Sequence, residues 1–194
     1  MKIRQILRWL GNYIKKALNE PFSKLTCTVI AGIIGCVLGA YLQNQSWIEQ
    51  NRLSMLESDR KQAESIFNEV SSLMDDRYYK TVRLLSAYKQ KDSAKIERYK
   101  ESLSIQLEQW NSNYNRICAL LEGYFGPRYN HFFKHKIQHN FALTGNKIIY
   151  SGASMVENQK YLDSRLDMLS KNIVTFNMMM IDAIKENKVG RFIE

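Results

Sequence analysis

Apolar positions along this chain fall into two patterns, a continuous block near the N-terminus and, beyond it, stripes spaced three or four residues apart. The block, LTCTVIAGIIGCVLGAYL at residues 25–42, runs eighteen residues without a charge. As a helix it is roughly 27 Å long, close to the hydrocarbon thickness of a bilayer. Phe22 before it, and Tyr41 and Trp47 near its far end, stand where interfacial aromatics are expected. The pattern predicts a single transmembrane helix. A buried core helix would need partners on every side, which a chain this short hardly supplies. A cleaved secretory signal would need a much shorter leader than the 24 residues that precede the block. The tetrapeptide IIGC at 33–36 has the form of a bacterial lipobox, but residues 37–42 stay apolar where a lipidated chain turns polar, so an uncleaved span is the better account.

Small residues within the span are ordered. Ala31, Gly35 and Gly39 lie at i, i+4 and i+8, with Gly32, Cys36 and Ala40 in a parallel row. Lipid provides no hydrophobic drive between helices, so close backbone approach along such rows must supply the attraction, and self-association through this face is expected.

Residues 1–20 combine Ile3, Ile6, Leu7, Leu10, Ile14 and Leu18 at helical spacing with Lys2, Arg4, Arg8, Lys15 and Lys16. This predicts a basic amphipathic helix lying on an anionic membrane face, with Trp9 near the boundary and Pro21 separating it from the span. Counting Lys24, six basic residues precede the span and three (Arg52, Arg60, Lys61) fall in the twenty after it. The positive-inside rule then places the N-terminus in the cytoplasm and the chain in the cell inner membrane, single-pass.

Residues 44–194 contain one proline, Pro127, and read as successive helices. The first is expected from about Ser46 to Lys89, with a stripe through Ala63, Ile66, Phe67, Val70, Met74, Tyr78, Val82 and Leu85. Asp92 or Ser93 caps a second, whose stripe through Ile96, Tyr99, Leu103, Leu107, Trp110, Tyr114, Ile117 and Leu121 ends at Gly123. A short third begins at Pro127, buries Phe133, Ile137 and Phe141, and stops at Gly145. The last, from about Ala153 to Glu186, carries Leu162, Leu166, Leu169, Ile173, Phe176, Met180 and Ile184. The fold class is therefore all-α: an amphipathic leader helix, one transmembrane helix, then an antiparallel bundle of about four helices with a long first helix. The segment from Ile173 to Ile181 is apolar nearly all round and too short for a second span. A core position is its plainest explanation, ahead of a methionine-lined partner groove or a segment that inserts on triggering.

Composition narrows the function classes. The chain has 194 residues, 45% hydrophobic, with a formal charge of +9 that raises nucleic acid and anionic lipid as partners. Beyond the span the balance is only 22 Lys+Arg against 18 Asp+Glu. That is dilute for a nucleic-acid module, and the aromatics among the basic residues from Tyr124 to Lys147 stand at core spacing, so nucleic acid is not an expected partner. Three cysteines, Cys27, Cys36 and Cys118, support neither a disulfide framework nor a four-cysteine zinc site.

Candidate chemistry is sparse. His131, His135 and His139 fall at i, i+4 and i+8 on one helix. Neighbouring pairs at this spacing can bind a metal ion, but the outer two are about 12 Å apart along an α-helix, so one ion cannot take all three. A solvated face whose charge depends on acidity is the better expectation. Cys118 falls beside an inward stripe and is expected to be buried. Asp75, Asp76 and Arg77 read as surface ion pairs rather than an acid/base pair. No phosphate-binding loop or nucleophile motif occurs, and no cofactor is called for. The expected function is a non-enzymatic, membrane-anchored helical protein that self-associates through its span and binds a protein partner or senses a ligand through its helical domain. The alternative is a membrane-perturbing effector of a bacterial toxin-type or antiviral defence system.

Overall fold

The computed structural model describes residues 12, 21–150 and 159–192. The described residues are helical nearly throughout and include no strand. Helix α1 runs Pro21–Gln90, α2 Ser93–Phe125 and α3 Pro127–Phe132; a π-helical turn, Phe133–Gln138, joins α3 to α4, His139–Tyr150, and α5, Gln159–Lys185, leads to a 3-10 turn at Gly190–Phe192. Since α3, the π turn and α4 follow one another without a break, the described residues form four helical stretches with a long first one. The predicted leader helix, with Lys2, Arg4, Arg8, Trp9, Lys15 and Lys16, lies outside the described residues.

Two compact units make up the chain, Met1–Ser54 and Met55–Glu194. In the first, the described residues from Pro21 onward are all helical, and Gln43, Asn44, Gln45 and Ser46 do not interrupt α1. The expected boundary between a span and a separate helix at Ser46 is absent because these polar residues include no glycine or proline to stop a helix.

The second unit packs around Trp110, Phe133, Phe141 and Phe176, each at most 1% exposed. The predicted stripes of α2 and α5 point inward, with Leu103, Trp110, Ile117 and Leu121 on one and Leu162, Leu166, Leu169, Ile173, Phe176, Met180 and Ile184 on the other. In α1 the predicted stripe is buried at Ala63, Ile66, Val70, Met74 and Leu85, and its remaining members pack against the core. Phe67, Tyr78 and Val82 are only half-buried, whereas Leu73, Arg77, Thr81, Leu84 and Ala87 are buried. Beyond Met74 the buried face also takes in polar positions at 77 and 81, which an apolar pattern omits.

Local chemistry explains the ends. Asp92 is the N-cap of α2, its carboxylate accepting from the Lys95 amide at 3.1 Å. Helix α2 ends two residues beyond Gly123, at Phe125, whose ring is buried; Gly126, at φ 95°, forms the cap, and Pro127 opens α3. Helix α4 runs through Gly145, because Ile148 is fully buried and its burial exceeds the roughly 1 kcal/mol that glycine costs a helix. The π turn has a reason in the sequence as well. Phe133, Ile137 and Phe141 are all buried at strict four-residue spacing. An α-helix advances roughly 100° per residue, so such a row slips about 40° at each step; the wider turn absorbs the slip.

A latch closes the second unit. After α5 ends, Val189 is buried, Gly190 takes φ +60°, and Arg191 meets Asp59 of α1. The Asp59 carboxylate accepts from the Arg191 amide at 2.9 Å, from Nε at 3.0 Å and from Nη2 at 2.8 Å, while only 7% of the residue is exposed. Hydrogen bonding from the Arg191 side chain, with further help from its amide and charge, holds the Asp59 carboxyl below the usual carboxylate range despite burial. Since the folded-state value lies below the unfolded one, the latch contributes stability that is fully present above about pH 4 and is lost as pH falls through the lowered folded value. Thermal melts of the wild type and Asp59→Asn should differ by a constant amount from pH 5 to pH 8 and converge below about pH 4. A difference that persists unchanged at pH 2.5 would rule out this linkage.

Candidate functional site

In the first unit the residues 27–42 form one face-complete apolar surface. Ile33, Val37, Tyr41 and Leu42 are exposed by 59%, 63%, 60% and 66%, and none of the apolar window is buried. Among the described residues, α1 is the one helix long and apolar enough to cross a membrane, and that stretch lies near the N-terminus. The predicted contact residues Ala31, Gly35 and Gly39 are all exposed, and a Cβ built on Gly32, Gly35 or Gly39 meets nothing within 4 Å. Among the described residues, no side chain stands in the way of a second helix backbone at this row.

The histidines lie on the surface. His131, His135 and His139 are all exposed, flanked by exposed Lys134 and Lys136, and the rings of His131 and His135 stand 4.3 Å apart. The first two are within reach of one another and the third is not grouped with them. Among the described residues no set of three or more His, Cys, Asp and Glu is placed to hold a metal ion. Cys118 is buried, and that burial pushes its thiol up, away from the reactive thiolate. The aromatics of the basic stretch, Tyr124, Tyr129 and Phe132, pack against the core, while Arg128, Lys134 and Lys136 face solvent.

Arg77 is the correction that matters. Instead of a surface ion pair with its neighbours, it is 5% exposed, and Asp76 pairs with Lys80 at 2.9 Å. Its guanidinium carbon sits 4.5 Å from the ring centroids of both Trp110 and Phe141. Nη1 donates to Gln138 Oε1 at 3.1 Å, and the same oxygen accepts from Trp110 Nε1 at 2.7 Å. The π turn carries Gln138, so it brings the amide to this pair. No carboxylate pairs with Arg77 among the described residues, and desolvation lowers its pKa to about 10. The sequence signal was the three- and four-residue spacing that runs from Leu73 through Arg77 to Thr81 and Leu84, which places a charge on the buried line.

Helix α1 carries an open groove of about 570 Å³ lined by Phe67, Ser71, Ser72, Asp75 and Tyr79 among others. Asn177 of α5 donates to Ser71 Oγ at 3.0 Å beside it. The apolar run from Ile173 to Ile181 is thus divided. Ile173, Phe176 and Met180 are core, whereas Val174 and Met178 are exposed by 55% and 58%.

These arrangements offer surfaces for packing and polar recognition. No family model matches the chain, and neither a curated protein nor a solved structure does.

Proposed function

We propose that the chain is a non-enzymatic, single-pass membrane protein whose residues 25–42 span the bilayer, whose residues 1–20 lie as a basic amphipathic helix on the cytoplasmic face, and whose span pairs with that of a second copy. On this proposal, residues 44–194 form an antiparallel bundle that binds a protein partner. The observation that carries it is the glycine-bearing apolar surface of α1, open along its whole length. An apolar face of this extent is stable in lipid and unstable in water, and its glycine row suits close packing of like helices. Exposed Val174 and Met178 offer the helical domain an adaptable apolar contact.

Two measurements test it. The protein should stay with membranes through alkaline carbonate extraction, and release into the supernatant would end the proposal. Gly35→Ile/Gly39→Ile should reduce self-association in a membrane reporter assay by about tenfold, the effect of losing roughly 1.4 kcal/mol of close packing, while leaving membrane retention intact. Unchanged association would assign the row to lipid. Depolarisation of host cells on expression, abolished in the same variant, would replace tethering by membrane perturbation.

A further inference from the structure

The buried side chains of the second unit form two apolar clusters rather than one. The first holds Met74, Trp110, Phe141 and Leu169 with their neighbours; the second holds Leu84, Leu103, Ile148, Leu162 and Leu166. Between them, on three helices, the intervening buried position is polar. On α1 these are Arg77 and Thr81, on α2 Gln106, and on α4 Thr144, each at most 5% exposed. Half-buried Tyr78 packs against both clusters.

This polar layer is incompletely satisfied. Thr81 Oγ1 donates to the Arg77 carbonyl at 2.7 Å, and Gln106 Nε2 donates to the Leu73 carbonyl at 3.3 Å. Gln106 Oε1 and Thr144 Oγ1, however, are buried without a partner. Opening the structure here returns those groups to water and recovers hydration lost on folding. Opening within the first cluster would also free Asn130 Oδ1 and Asn177 Oδ1, likewise buried without a partner, but only by exposing the large apolar surfaces of Trp110, Phe133 and Phe176. Separation is therefore least costly at the layer.

We infer that the polar layer is a built-in fault line, at which the part of the second unit bearing Leu84, Leu103, Ile148 and Leu162 opens as a unit while the part around Trp110 and Phe176 stays closed. Such a device gives a binding domain two states without unfolding it. It is independent of membrane insertion.

Hydrogen exchange read by mass spectrometry on the full chain in detergent micelles tests it. Amides of 81–103 and 162–166 should exchange at least about tenfold faster than those of 66–74, 114–121 and 169–180, since one unsatisfied buried group shifts a local equilibrium by about that factor or more. Arg77→Met/Gln106→Leu/Thr144→Val should bring the two sets within about threefold of each other by joining the clusters. Thr144→Val alone is nearly isosteric and should slow the fast set several-fold, which keeps the test valid if the triple variant fails to fold. Equal protection throughout the wild type would overturn the inference. So would a difference that Thr144→Val leaves untouched, which would mark ordinary fraying from the helix ends.

Discussion

Trp110→Ala should destabilise the second unit by about 3–5 kcal/mol, the range for truncating a fully buried large aromatic. The indole is 0% exposed and lies 5.6 Å from Phe133 in a stacked arrangement and 5.3 Å from Phe141 edge-on. It is also one of the two rings against Arg77 and donates to Gln138. Alanine would leave a cavity, remove one of the two rings over an unpaired guanidinium, and deprive Gln138 Oε1 of one of its two donors. Denaturant titration followed by circular dichroism should show a lower midpoint with little change in slope. Trp110→Phe keeps the aromatic volume while losing the indole N–H, and should recover more than half of the loss. Equal effects of the two variants would show that the hydrogen bond, and not the packing, sets the stability here.

The second large effect is expected at Gly190. Its φ of +60° lies in the left-handed region, and a Cβ built there would come 2.5 Å from Asp59 Oδ2 and 2.7 Å from Cγ. Those atoms belong to a buried carboxylate that three N–H groups of Arg191 hold in place, so it has little freedom to retreat. Gly190→Val should therefore cost about 2–4 kcal/mol, from a β-branched residue at positive φ and from displacement of the carboxylate. A thermal melt of the full chain should fall by several degrees. Combining Gly190→Val with Asp59→Gly removes all three obstructing Asp59 atoms, Oδ2, Cγ and Cβ, and should be less than additive. Strict additivity would place the effect in backbone strain alone.

Much of this molecule was legible before any coordinates. The stripes of α2 and α5 need only helical periodicity, and the start of α3 needs only Pro127 after Gly126. Periodicity was weaker where polar residues occupy the seam. Arg77 and Thr81 carry no hydrophobic signal, whereas Tyr78 and Val82 beside them do, so the contact of Arg77 with Trp110 and Phe141 has no mark in the apolar pattern. The latch was invisible for another reason. Asp59 and Arg191 are 132 positions apart, and nothing local to either marks it as the other's partner. The exposed apolar face of α1, in contrast, could be read directly, because a run of eighteen uncharged residues carries its own measure of length.

The π turn at Phe133–Gln138 has a further consequence. A helix that accommodates a wide turn behaves as though one residue had been inserted into an α-helical stretch. Deleting a single residue there, for example Lys136, would restore ordinary α-helical turns and leave Phe141, Thr144 and Ile148 on the buried face. A deletion in the ordinary α-helical part, for example of Asn146 in α4, would instead swing everything downstream by roughly 100° and carry Ile148 out of the interior. Among homologous chains, a one-residue gap at the wide turn should therefore need no shift of the apolar register along α4, whereas a gap within α4 itself should be accompanied by one.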